Sequence, residues 1–113
     1  MDAQNEKTLR ALQADVDDWI QSVGVRYFNE LTNTAILMEE VGELARVMAR
    51  KYGEQSFKAG ETENLAEEMA DVLFVLICLA NQTGVDLTSA FREKMDLKTV
   101  RDKERHCNNP KIQ

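Results

Sequence analysis

A single proline, Pro110, and five glycines, at 24, 42, 53, 60 and 84, are all the strong chain breakers that 113 residues contain. So few turn formers argue against a many-stranded sheet and leave room for long helices. The apolar residues agree: Leu9, Leu12, Val16, Ile20 and Val23 recur at the helical period. A chain of this length fits one domain, residues 1–113, large enough to bury a core without disulfide or metal staples. Both termini are expected to fray.

Four helices are predicted. The first covers residues 7–23 and is closed by Gly24. A short segment with Tyr27 and Phe28 leads to Thr32-Asn33-Thr34, N-cap residue types that place the start of the second helix there. It runs to about Tyr52 and stops at Gly53, and residues 53–61 form a polar loop. The third helix begins near Thr62 or Asn64, with Asn64 and Glu67 resembling a capping box, and ends at Gln82-Thr83-Gly84. Asp86 caps the fourth, which reaches about Arg105, and Asn108-Asn109-Pro110 ends the regular structure. Residues 72–80 of the third helix are apolar on nearly every side, and a helix apolar all round is normally buried all round. The expectation is that it packs against a second subunit; the alternative is an ordinary monomeric core helix.

That run of nine apolar residues is far below the ~20 that a bilayer span needs, and no basic segment followed by an apolar one opens the chain as a secretory signal would. No membrane partner is therefore expected. The net charge of −6 argues against nucleic acid. Residues 39–71 hold nine acids against four bases, whereas residues 92–105 hold six bases against four acids. Solvated helix faces account for such charges, and so does a site that holds a cation and a phosphate together. Cys78 lies in the apolar run and Cys107 in the polar tail, without a Cys-x-x-Cys or Cys/His cluster, so neither zinc nor a disulfide framework is indicated and a reducing cytoplasm is expected. The lone His106 reads as an exposed tail residue.

The most informative residues are acids. Glu40 and Glu43 lie three apart on one face of the second helix, as do Glu68 and Asp71 on the third, each pair beside an apolar stripe. If the two helices form an antiparallel hairpin turning near residue 55 or 56, Glu40 comes level with Asp71 and Glu43 with Glu68, and that turn falls in the predicted loop. Glu39 and Glu67 project further outward. Four carboxylates on facing helices repel one another unless their pKa values rise or a cation joins them. Oxygen ligands without His or thiolate suit Mg²⁺ or Mn²⁺, and the absence of His from both helices removes a di-iron site. Salt bridges to Arg46, Arg50 or lysines of the fourth helix are the competing explanation.

Lys94, Lys98, Arg101 and Arg105 follow at helical spacing on the face that carries Leu87 and Phe91, which predicts a basic stripe continuing a buried face. Inward cations near an acidic cluster make sense if a polyphosphate bridges them; direct pairing with the acids is the other option. No GxxxxGK[ST] or GxGxxG loop is present, so a phosphate would be held by metal and side chains.

At Glu39-Glu40-Val41-Gly42-Glu43 and Glu68-Met69-Ala70-Asp71 the sequence resembles the MazG-like all-α nucleoside triphosphate pyrophosphohydrolases, whose hallmark is EExxE followed by ExxD; the likeness covers about residues 31–105. The resemblance implies an all-α fold with a four-helix bundle completed by subunit association, as a dimer or a dimer-of-dimers tetramer. It implies Mg²⁺ held by Glu40, Glu43, Glu68 and Asp71, and hydrolysis of a (d)NTP to (d)NMP and pyrophosphate, in the manner of nucleotide-pool house-cleaning. Glu39 or Glu43 would orient the attacking water, and Lys94 and Arg101 match the family's Lys and Arg after the second motif. Lys98 stands where the family carries Asn, no Tyr-Pro follows Arg101, and Arg50-Lys51 replaces the Trp-Lys of some relatives. Trp19, Tyr27 or Phe28 could supply the aromatic platform instead. Hydrolysis of a phosphoribosyl nucleotide and a non-catalytic helical association module with a structural metal are the alternative functions.

Overall fold

The computed structural model describes residues 6–61 and 64–112. Among them are four helices, α1 (Leu9–Ser22), α2 (Glu30–Tyr52), α3 (Leu65–Thr83) and α4 (Leu87–Cys107), a 3₁₀ turn at Pro110–Ile112, and no strand. The all-α class is as the sequence predicts. The last turn extends regular structure past Pro110, and Thr62, one candidate for the start of the third helix, lies outside the described residues, as do residues 1–5 and 113.

Each helix starts where a short polar side chain replaces a missing backbone acceptor. Thr8, Asn29, Asn64 and Asp86 accept from the amides of Ala11, Thr32, Glu67 and Thr88, respectively, and each such cap contributes about 1 kcal/mol. Asn64 and Asp86 are the caps expected. For α2 the cap is Asn29 instead of the Thr32-Asn33-Thr34 triplet, because the extended backbone an N-cap requires (φ −65°, ψ 165°) occurs at Asn29. Asn33 therefore lies inside the helix and turns inward. Gly53 ends α2, and Gly84 ends α3 in the left-handed region at φ 72°, a conformation that glycine adopts without steric penalty.

The packed layer is α1, α2 and α3, with α3 touching both others. Its core consists of Ile20, Val47, Val75, Ile77, Cys78 and Ala80, and burial of each larger aliphatic side chain contributes about 1.5–3 kcal/mol. Polar groups stitch the layer together. Gln13 donates to Asn81 and to the Val85 carbonyl and accepts from the Leu87 amide, while Asn81 donates to the Gln13 carbonyl and to Tyr27. Arg10 closes the same corner through Asp86, 2.6 Å away.

The chain turns by 103° between α3 and α4, so α4 leaves the layer as an arm. The radius of gyration is 17.9 Å, against the ~13 Å expected for a compact chain of this length. This corrects the buried face assigned to α4: none of its residues is buried, and Phe91 is 61% and Val100 82% exposed. Within one chain nothing lies beyond the corner for them to pack on. On α3, Phe74 and Leu76 also stay partly exposed, at 38% and 41%. No single helix among the described residues is long and apolar enough to cross a membrane.

Candidate active site

The periods of α2 and α3 aim two sets of acids at each other across the hairpin. One carboxylate oxygen from each of Glu40, Glu68 and Asp71 lies within 4.8 Å of the others. Glu40 and Glu68 are half-buried. Glu68 stands in the first turn of α3, where the positive end of the helix dipole favours an anion. Loss of water raises the Glu40 pKa, and the charges of Asp71, Glu68, Glu43 and Glu39 raise it further, in that order. No ion pair from a described residue reaches any of the three clustered carboxylates. Among the described residues no ion pair neutralises the cluster, and its oxygen donors have the chemistry that a small, hard cation takes.

Glu43 stands apart from this trio. Its carboxylate is 3.5 Å from Arg46 one turn on, and half its side chain is exposed. Arg46 in turn contacts Glu61, and Arg50 approaches Glu61 at 3.9 Å. The Lys58 amide, followed by Arg46, holds the Glu61 carboxyl below its usual range. Glu61 thus ties the loop after α2 back onto that helix, a role the sequence reading missed; its signal was the Arg46/Arg50 pair one turn apart, needing an acid. Glu39 is exposed beside Glu40. Glu67 is engaged with Asn64 at the start of α3 through two hydrogen bonds, away from the trio.

The cations of α4 are not drawn to these acids within the chain. Arg101 forms two hydrogen bonds to Asp102, both at 3.0 Å, and Arg105 lies 3.6 Å from the same residue. Lys94 borders an apolar groove together with Leu9, Leu73, Leu76, Leu87 and Phe91, and Lys98 is exposed further along the arm.

Next to the acidic trio, on the same two helices, opens a cavity of about 460 Å³. Ile36, one turn before Glu40, and Val75, one turn after Asp71, contribute to its wall, with Trp19, Tyr27, Asn33 and Phe74. Trp19 is half-exposed, and its ring meets Phe74 edge-on at 5.9 Å. Tyr27 donates to Asp17 at 2.6 Å, and burial, reinforced by that bond, pushes its pKa up to about 12, so its hydroxyl stays neutral at physiological pH. The lining also includes Val25, which has a positive φ of 73°.

Comparison with known proteins gives a consistent result. Residues 28–106 match the family described as the MazG nucleotide pyrophosphohydrolase domain. The uncharacterized protein YpjD of Bacillus subtilis is 43% identical over 102 residues, covering 89% of this chain and 92% of that protein. The human dCTP pyrophosphatase 1 is 36% identical over 96 residues, covering 80% of this chain but only 53% of its own length. The chain therefore spans about half of that longer relative. The crystal structure of the Bacillus subtilis YpjD superposes with a TM-score of 0.77 at 42% identity, over 87% of this chain and 99% of that one. A Bacillus-conserved MazG protein described as a nucleotide pyrophosphohydrolase superposes with a TM-score of 0.72 at 38% identity, over 88% and 98%.

Proposed function

Because the chain belongs to the MazG nucleotide pyrophosphohydrolase family, we propose that it hydrolyses a (deoxy)nucleoside triphosphate to the monophosphate and pyrophosphate, with Mg²⁺ held by Glu40, Glu68 and Asp71. The observation that carries this reading is the meeting of three carboxylates, without an ion pair from any described residue, beside a cavity large enough for a nucleobase and its sugar. Glu43 joins the ligand set if it releases Arg46, and Mn²⁺ fits the same oxygen donors.

The bound cation would supply charge neutralisation along the triphosphate and make a neighbouring water more acidic. Glu39, exposed beside the trio, accepts the proton of the attacking water and fixes its approach; Glu43 is the alternative for that task if it releases Arg46. Attack at the α-phosphorus breaks the α–β anhydride and releases pyrophosphate. Lys94, Lys98 and Arg101, which α4 carries away from these acids within one chain, would meet the charge on the leaving group only once subunits associate. Trp19 offers its half-exposed ring to the base.

We take the working form to be a homo-oligomer, because the apolar side chains of α3 and of the α4 arm have no cover within one chain. Removal of surplus or non-standard nucleotides in the cytoplasm is the role this chemistry serves. Incubating the purified protein with a panel of dNTPs and Mg²⁺, and measuring pyrophosphate and monophosphate, tests the reaction. Release of orthophosphate and nucleoside diphosphate would refute it.

A further inference from the structure

The wall of the cavity contains one side chain whose polarity is out of keeping with its burial. Asn33 is only 6% exposed, and its amide cannot be turned round. The Nδ2 group donates to Gln82 Oε1 at 2.8 Å and to the Phe28 carbonyl at 3.3 Å, which uses both of its hydrogens. Gln82 is itself fixed, because its Nε2 donates to the same Phe28 carbonyl at 2.6 Å. Asn33 Oδ1 is thereby defined as an acceptor, and no described residue donates to it. It is not sealed inside the protein either: among the described residues the one buried side-chain polar atom without a partner is Arg50 Nε. The accessible side of Asn33 is the cavity that it lines.

Of the other polar side chains at that wall, two have partners within the protein, whereas the Trp19 indole N–H has no acceptor among the described residues. The Tyr27 hydroxyl donates to Asp17 and accepts from Asn81, and Arg26 donates to the Tyr27 carbonyl. Asn33 lies seven residues, or about 10 Å along the helix, from Glu40. That separation matches the reach from the phosphates of a nucleotide to the far edge of its base.

We propose that Asn33 is a specificity-determining residue, accepting a hydrogen bond from the exocyclic amine of the base and so selecting amino-bearing nucleotides, those of cytosine and adenine, over their oxo counterparts. The inference rests on the pyrophosphohydrolase reading and on the base occupying the cavity. Cytosine N4 and adenine N6 are donors, whereas uracil O4 and hypoxanthine O6 are acceptors. An oxo base in the same pose would place its oxygen against Asn33 Oδ1 and would have to shift to offer its adjacent ring N–H instead, so only the amine meets this acceptor in place.

The test compares dCTP with dUTP, and dATP with dITP, pairs in which the amine is exchanged for an oxo group and the adjacent ring nitrogen gains a proton. The wild-type protein is expected to favour the amino member of each pair by at least ~10-fold in kcat/KM. Asn33→Ala, with folding checked by circular dichroism, is expected to bring both ratios to within about threefold of unity. Equal turnover within the pairs by the wild type overturns the proposal, and so does a folded Asn33→Ala that keeps the preference. Should that variant fail to fold, a crystal of the wild type with dCMP decides: N4 at hydrogen-bond distance from Asn33 Oδ1 supports the assignment, and N4 directed elsewhere overturns it. No pyrophosphate from any of the four nucleotides would instead strike the reaction itself, so the two failures are distinguishable.

Discussion

Gln13 and Asn81 hold each other twice, the Gln13 amide donating to Asn81 Oδ1 and the Asn81 amide donating back to the Gln13 carbonyl, both at 3.0 Å. These two bonds join α1 to α3, and the same Gln13 side chain accepts from the Leu87 amide at the start of α4. Replacement by leucine keeps the bulk and strands the amide of Leu87, the carbonyl of Val85 and Asn81 Oδ1. Gln13→Leu is expected to destabilise the fold by at least ~2 kcal/mol, visible as a Tm lower by roughly 8 °C or more. An unchanged Tm would show that the network carries no stability.

Asp86 combines a cap with an ion pair, and the two can be separated. Arg10, by its hydrogen bonds, is the main reason the Asp86 carboxyl titrates below its usual value. A carboxyl whose native pKa lies below its unfolded one stabilises the fold above the unfolded value of about 3.9, and that contribution is lost as pH falls through the native value. Asp86→Asn retains an oxygen for the Thr88 amide and removes the charge. Wild type is expected to melt above Asp86→Asn from pH 7 down to about 5, the gap closing below about pH 4. A gap that shows no narrowing as pH falls below about 4 would mean that the cap, not the charge, accounts for the difference.

Val25 has a β-branched side chain in the left-handed region, at φ 73°. That conformation costs a non-glycine residue about 1–2 kcal/mol. The side chain is 78% exposed and contributes little packing in return. Val25→Gly is expected to raise the Tm by a few degrees, corresponding to about 0.5–1 kcal/mol after the extra entropy of glycine in the unfolded chain is counted. A lower Tm would indicate that the valine methyl groups support the cavity wall.

Glu40 provides a prediction with two opposite signs. Loss of water and the neighbouring acids disfavour its charge in the metal-free protein, so Glu40→Gln is expected to melt higher than wild type without divalent ions. With millimolar Mg²⁺ the order reverses, because wild type gains stability by ligand linkage and the variant gains little. Activity is expected to fall at least ~100-fold. A full Mg²⁺-dependent rise in the variant would remove Glu40 from the ligand set.

Much of this architecture is legible in the residue order. Asn64, Asp86, Gly53 and Gly84 act where they stand, because caps and stops depend on a side chain and its nearest amides. The convergence of Glu40, Glu68 and Asp71 follows from helical period and the position of one turn. The start of α2 was not legible: three good cap types in a row hide the one before them, and tertiary contacts with Gln82 and Phe28 draw Asn33 into the helix. Nor was the Glu43 side chain, which has an arginine one turn along its own helix as an alternative to the trio. The course of α4 depends on the backbone around Gly84, and spacing alone cannot specify a 103° corner.

Asn33 and Glu40 share one unbroken helix, with no loop between the residue that would read a base and a residue that would hold the cation beside the phosphates. The span between them is set by helical rise, a quantity that neither temperature nor ligand readily alters. Such a helix would act as a fixed gauge, measuring a nucleotide from base edge to anhydride. Changing what the enzyme accepts would then require exchanging side chains at marked positions on the gauge, since there is no hinge with which to lengthen it.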